Sequence, residues 1–196
     1  MTGANPSLAN PSLANLTLAI ETATPYLALG LLGPATAHAL LREVGRRHAE
    51  QLPDALDELL TGAGAGRHQI TRLVVGTGPG SYTGVRVGAS FALGLGRALG
   101  AKVLGVSTLE ALIGPQLGGR QAVSLDARKE QLYGALYEVS GGVVVRALRA
   151  PARHAVTDFA AQVAGTIWRR DPAPDALALA RAGEAHGASE WVLQYL

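Results

Sequence analysis

The chain has 196 residues, 48% of them hydrophobic, and no cysteine; that length buries a sizeable core as one domain or two small lobes sharing a hinge. The missing cysteines exclude disulfides and thiolate metal sites and agree with a reducing compartment. Seventeen basic against fifteen acidic side chains leave a formal charge of +2, too little for counterion release to drive strong unaided binding to nucleic acid.

Met1 to Asn15 lacks the positive start and continuous apolar stretch of a secretory signal, and no later run approaches membrane-spanning length. A cytoplasmic chain without membrane contact is expected. The same segment repeats Ala4-Asn5-Pro6-Ser7-Leu8 as Ala9-Asn10-Pro11-Ser12-Leu13. Its Asn-Pro steps resist helix, so residues 1–15 read as a flexible extension.

From Leu16 the pattern becomes that of a folded lobe. Leu16 to Ile20 and Tyr26 to Leu32 read as strands, with a third over Ala37 to Val44. Leu52, Leu56, Leu59 and Leu60 share one helical face while Asp54, Asp57 and Glu58 face away, which predicts an amphipathic helix near His48 to Thr61. Pro53 must sit in its first turn or kink it. Leu73 to Gly76 is a strand, Val85 to Leu99 a helix, Lys102 to Val106 a strand and Leu109 to Ile113 a short helix.

A second lobe is expected after the Gly114-Pro115 break, so that residues 16–115 form the first lobe and 116–196 a smaller one. Gln121 to Leu125, Leu132 to Val139 and Val143 to Leu148 read as its strands, Val156 to Ile167 and Asp175 to Ala185 as its helices. Strands alternating with helices, followed by a smaller set of both, make a bilobal α/β pattern.

The strongest local signal is Gly78-Pro79-Gly80-Ser81-Tyr82-Thr83-Gly84 between a strand and a helix. Glycines permit a tight turn, Ser81 or Thr83 can cap the helix, and free N–H groups in its first turn suit an anion; a capped turn without ligand fits the same residues. No Gly-Lys-Ser/Thr follows, so it is not a Walker loop. Gly84, Gly88, Ala92 and Gly96 recur at four-residue spacing. Each Gly costs about 0.8–1 kcal/mol of helix propensity relative to Ala, so a close contact should compensate, either with the chain's own sheet or with a partner helix.

Glu21-Thr22-Ala23-Thr24 places a carboxylate and two hydroxyls at the end of the first strand, either a phosphate site or a turn bonded to its own backbone. Asp126-Ala127-Arg128 ends another strand, where an ion pair pinning a hairpin is the default. His38, His48, His68, His154 and His186 never pair at i, i+3 or i, i+4, and His48 and Glu50 cannot share a helical face, so no metal site is expected. A Gly-x-Ser-x-Gly elbow is also missing.

Taken together, Ala19-Ile20-Glu21-Thr22, His48-Ala49-Glu50 with Leu52-Pro53, Gly78 to Gly88, Gly105-Val106-Ser107-Thr108-Leu109 and Asp126-Ala127-Arg128 resemble the TsaB family. These are accessory paralogues within the group once called glycoproteases. The resemblance implies an actin-like, Hsp70-like ATPase fold with two ribonuclease H-like lobes, the second one lean. In the catalytic paralogue TsaD, the segment matching Val106 to Leu112 looks like Val-Asn-His-Leu-Glu-Gly-His, whose two histidines hold a metal. Thr108 and Leu112 stand at those positions here, which implies loss of the transfer chemistry and no catalytic residue.

The implied role is to dock a TsaD-type catalytic paralogue, joined by a TsaE-type ATPase, for threonylcarbamoyl transfer to adenosine 37 of tRNA, with tRNA met only through the complex. The implied partner face comprises Leu52, Leu56, Leu59, Gly84, Arg86, Val87, Gly88, Ala92 and Leu93, which a homodimer of the free chain could also use. Thr22, Thr24, Gly78, Gly80 and Ser81 are the candidate phosphate residues. No cofactor is expected beyond weak nucleotide binding in the complex. Glu21 stands where relatives usually carry Asp, which moves the carboxylate about one methylene outward. The ending Trp191 to Leu196 only loosely matches the family's Pro-x-Tyr-Leu-Arg. The competing classes are a metallopeptidase or a sugar-type kinase on the same fold, for which only Asp126 offers a catalytic carboxylate, and a homodimeric binding protein outside the tRNA pathway.

Overall fold

The computed structural model describes residues 15–114 and 118–196; the expected extension, apart from Asn15, and the expected lobe boundary at 115–116 lie outside the described residues. The first sheet has the order β3-β2-β1-β4-β5. Its strands are β1 (Leu16–Glu21), β2 (Tyr26–Gly33), β3 (Thr36–Glu43), β4 (Ile70–Gly76) and β5 (Lys102–Val106). β1 runs antiparallel to β2 and parallel to β4, so the apolar run Leu16 to Ile20 lies at the centre. Every residue of β1 is buried, because helices cover both faces of the sheet.

On one face lie α1 (His48–Ala63) and α2 (Tyr82–Leu99), against Leu16, Leu18, Ile20, Leu29, Leu31 and Leu73. α1 starts earlier than Pro53 requires, so Pro53 lies inside the helix. α2 begins at the Ser81 cap, whose hydroxyl accepts from the Gly84 N–H at 3.2 Å, and ends at Gly100 in the left-handed conformation. The small-residue stripe faces the chain's own sheet: a Cβ on Gly84 would strike the Thr22 carbonyl, one on Gly88 the Thr22 hydroxyl, and one on Gly96 the Val103 side chain. A partner helix therefore has no access to it.

The second sheet has the order β8-β7-β6-β9, with β6 (Gly119–Arg128), β7 (Gln131–Ser140), β8 (Val143–Ala155) and β9 (Ile167–Arg170). One face packs Val123, Ala135 and Tyr137 against the 3-10 turn Thr108–Leu112. The other packs Ala122 and Leu132 against Phe159 of α3 (Val156–Gln162). The expected helix to Ile167 stops early: Gly165 takes a φ of 74°, and the β-branched and aromatic run that follows pairs in parallel with β6.

The last helix, α4 (Ala176–His186), is the main departure from the sequence reading, which placed it in the second lobe. It crosses back to cover the first sheet opposite α1 and α2, with Ala176, Leu179 and Ala180 against Ala19, Ala28 and Val74. Contact is close because a Cβ on Gly30 would come within 2.8 Å of the Ala176 backbone. Asp175 caps it by accepting from the N–H groups of Leu177 and Ala178, and the Asp175 N–H donates to the Ala111 carbonyl at 2.6 Å.

Gly88→Leu, which must displace Thr22, should lower the free energy of urea unfolding by about 3 kcal/mol or more. Gly94 is exposed on the opposite side of α2 with nothing near its Cα hydrogens, so Gly94→Ala should raise it by about 0.8 kcal/mol.

Candidate functional site

At the carboxyl end of β1 the Glu21 side chain turns inward and is fully buried, rather than reaching outward as its extra methylene suggested. Its carboxylate accepts from the Ala23 N–H at 2.6 Å and from the Thr108 hydroxyl at 2.9 Å. The Thr108 oxygen in turn accepts from the Gly78 N–H at 3.1 Å, while the Thr108 N–H donates to the Gly78 carbonyl at 2.8 Å. Gly76 passes so close to the Glu21 carboxyl that any Cβ there would overlap it. Three segments that the sequence treated separately thus close on one another. Burial pushes the Glu21 pKa up to about 7, against the opposing pull of the Ala23 N–H, the Thr108 hydroxyl and the Thr22 N–H.

Of the five candidate phosphate residues, three share one cleft and two do not. The Thr22 hydroxyl donates to the Gly84 carbonyl at 2.8 Å, buried behind α2, and Gly78 faces the Gln194 backbone. Thr24, Gly80 and Ser81 line a cleft of about 820 Å³ between the lobes, opposite Asp126, Arg128, Tyr133 and Asp171. Two of these hydroxyls serve the protein itself, Thr24 accepting from the Tyr26 N–H and Ser81 capping α2. Asp126 accepts from the backbone N–H of Arg128 at 2.8 Å, a turn bond in place of the expected ion pair. The Asp171 carboxylate accepts from the Asp126 N–H at 2.6 Å; no sequence pattern singled it out.

The expected partner face divides in two. Leu56 and Leu59 belong to the core, and Gly84, Gly88 and Ala92 face the sheet, because the same periodicity that marks an apolar face cannot tell whether the chain or a partner covers it. Leu52, also buried, floors a groove of about 540 Å³ between α1 and α2, with Ala49, Tyr82, Arg86, Val87, Ser90 and Phe91 around it. Leu93 is exposed on the outer side of α2. Tyr82, Ser90 and Phe91 were missed, although Tyr82 and Ser90 lie four residues to either side of Arg86 on one outward stripe, with Phe91 beside them. The Arg86 guanidinium sits 4.8 Å above the Tyr82 ring. His48 is buried at the start of α1, its Nε2 3.1 Å from the Tyr26 carbonyl.

The family model for TsaD, tRNA N6-adenosine threonylcarbamoyltransferase, matches residues 42–183. The chain belongs to the TsaD family. Within it the chain is similar to the protein of Escherichia coli (strain K12) named tRNA threonylcarbamoyladenosine biosynthesis protein TsaB, at 35% identity over 126 residues, 61% of this chain and 54% of that one. The Bacillus subtilis protein of the same name is 33% identical over 129 residues, 64% of this chain and 56% of that one. The chain spans about half the length of the curated relatives it matches. Among solved structures, a Pseudomonas aeruginosa protein described as uncharacterized with similarity to peptidase YeaZ superposes with a TM-score of 0.80 at 25% identity, over 93% of this chain and 99% of that one. YeaZ from the same organism gives 0.77 at 23% identity, over 93% and 100%. The two-sheet architecture is accordingly the actin-like, ribonuclease H-like fold of this family.

Folded Glu21 keeps its proton up to about pH 7, whereas an unfolded Glu releases it near 4.5. The stability this group contributes is full below pH 4.5, falls as the pH rises and is lost above about 7. Relative to Glu21→Gln, the wild type should lose about 3 kcal/mol across that interval, measured as urea-unfolding free energies at stepped pH.

Proposed function

We propose that the chain is a non-catalytic subunit of tRNA threonylcarbamoyladenosine formation, which docks a TsaD-type catalytic paralogue on the outer faces of α1 and α2. The observation that carries this is the state of Thr108 and Leu112, which stand where the resemblance puts the paralogue's metal-binding histidines. Both are fully buried, and the Thr108 hydroxyl is held between the Glu21 carboxylate and the Gly78 N–H. That position closes the protein's interior instead of offering a ligand to solvent.

With the interior closed, recognition falls to the surface. The α1–α2 groove combines an apolar floor with an aromatic and a cationic rim, a composition suited to a protein partner. Docking there would stabilise one conformation of the paralogue rather than add chemistry. A TsaE-type ATPase completes the assembly, and tRNA is met through the complex, in keeping with a chain of formal charge +2.

Depleting the chain in its host should lower threonylcarbamoyladenosine in bulk tRNA, read by mass spectrometry of nucleosides. The wild type should restore it and Ser90→Arg, which fills the groove from an exposed position, should not. Unchanged modification on confirmed depletion would overturn the reading.

A further inference from the structure

A strip of exposed apolar surface beside the groove is left over by that reading. Eight large hydrophobic side chains are exposed among the described residues, and five of them, Tyr82, Leu93, Val192, Tyr195 and Leu196, belong to α2 or to the end of the chain. Each side meets the other twice: the Tyr195 ring lies tilted against Tyr82, with centroids 4.9 Å apart, and Leu93 and Val192 line the same surface depression. On α2, Tyr82, Arg86 and Leu93 fall within about 40° of each other around the helix axis. Exposed large apolar side chains grouped in this way mark an interaction site more often than an accident of composition.

The tail that carries half of the strip is firmly held. Ala188 exchanges two backbone hydrogen bonds with Gly105, at 2.9 and 3.2 Å, along the edge of β5. The Trp191 ring lies against Gly105, where any Cβ would collide with it, and its indole N–H donates to the Val103 carbonyl at 3.4 Å. The Gln194 N–H donates to the Thr77 carbonyl at 2.8 Å. These anchors leave Val192 79% and Tyr195 53% exposed. They fix the backbone while presenting apolar side chains outward.

We propose that Trp191 to Leu196 form the second half of the partner-docking surface, so that the catalytic paralogue seated on α1–α2 also covers Val192, Tyr195 and Leu196. The inference rests on the α1–α2 reading above and extends it to a segment far away in sequence. Continuity supports the same occupant: Tyr82 lines the groove and carries the Arg86 guanidinium and the Tyr195 ring around it. A partner filling the groove as far as Tyr82 meets Tyr195 at its rim. Tyr and Arg dominate interface energetics, and a tail already ordered in the free chain lowers the entropic cost of binding.

Isothermal titration of the full chain with the purified catalytic paralogue tests this. Tyr195→Ala should weaken binding about tenfold or more with an unchanged unfolding temperature, since Trp191 and Gln194 hold the tail without it. Val192→Asp should weaken binding as well. Wild-type affinity for both tail variants, with Ser90→Arg losing binding, overturns the tail's role and leaves the α1–α2 reading standing. Wild-type affinity for all three overturns both. A free-chain dimer that Tyr195→Ala splits, with paralogue binding unchanged, assigns the strip to a second copy of this chain and equally overturns the proposal.

Discussion

The buried carboxyl of Glu21 is the point on which the two lobes and the glycine-rich loop depend. It sits at the end of the central strand and has no cation beside it among the described residues; a hydroxyl and backbone amides are its partners. A buried polar group without such partners is costly, so the carboxyl requires Thr108 to stay in place. Thr108 in turn holds both the N–H and the carbonyl of Gly78. The 3-10 turn that starts at Thr108 then packs Leu109 and Leu112 against the second sheet. One hydrogen-bonded chain therefore sets the position of the loop before α2 and of the face on which the second lobe rests.

Small residues do the corresponding work across the first sheet. Gly84, Gly88 and Gly96 let α2 settle on one face, while Gly30 and Gly183 admit α4 on the other. Close approach of helix backbones to the sheet excludes solvent and partners alike, so the helix propensity lost at each glycine is offset within the molecule. The outward side of α2 carries the side chains that the inward stripe lacks, Tyr82, Arg86, Ser90 and Leu93.

The cleft between the lobes and the groove between α1 and α2 use their lining residues differently. The cleft between the lobes is lined by Thr24 and Ser81, whose hydroxyls bond backbone groups of the chain, and by Asp126 and Asp171, which brace the β6–β7 turn. Among the described residues, the polar and aromatic rim of the outer groove carries fewer such internal duties, chiefly the contacts of Tyr82 with Arg86 and with Tyr195.

The sequence by itself determined the elements whose signal is local. The apolar runs of β1 and β5, the four-residue periodicity of α1, the Ser81 cap and the turn glycines all act within a few residues, and each element lies where its pattern indicates. The five ordered motifs were enough for family resemblance. The tertiary structure alone decided where the patterns point. An apolar or small-residue stripe shows only that something covers it, and contact with Thr22, not a partner helix, settled that for Gly84 and Gly88. β9 is four residues long and is stabilised by pairing with β6 rather than by its own periodicity. The Ala-rich face of α4 fits either sheet in composition. Its return to the first sheet depends on the room left by Gly30, a residue 146 positions before the helix begins, and no local pattern carries information over such a distance.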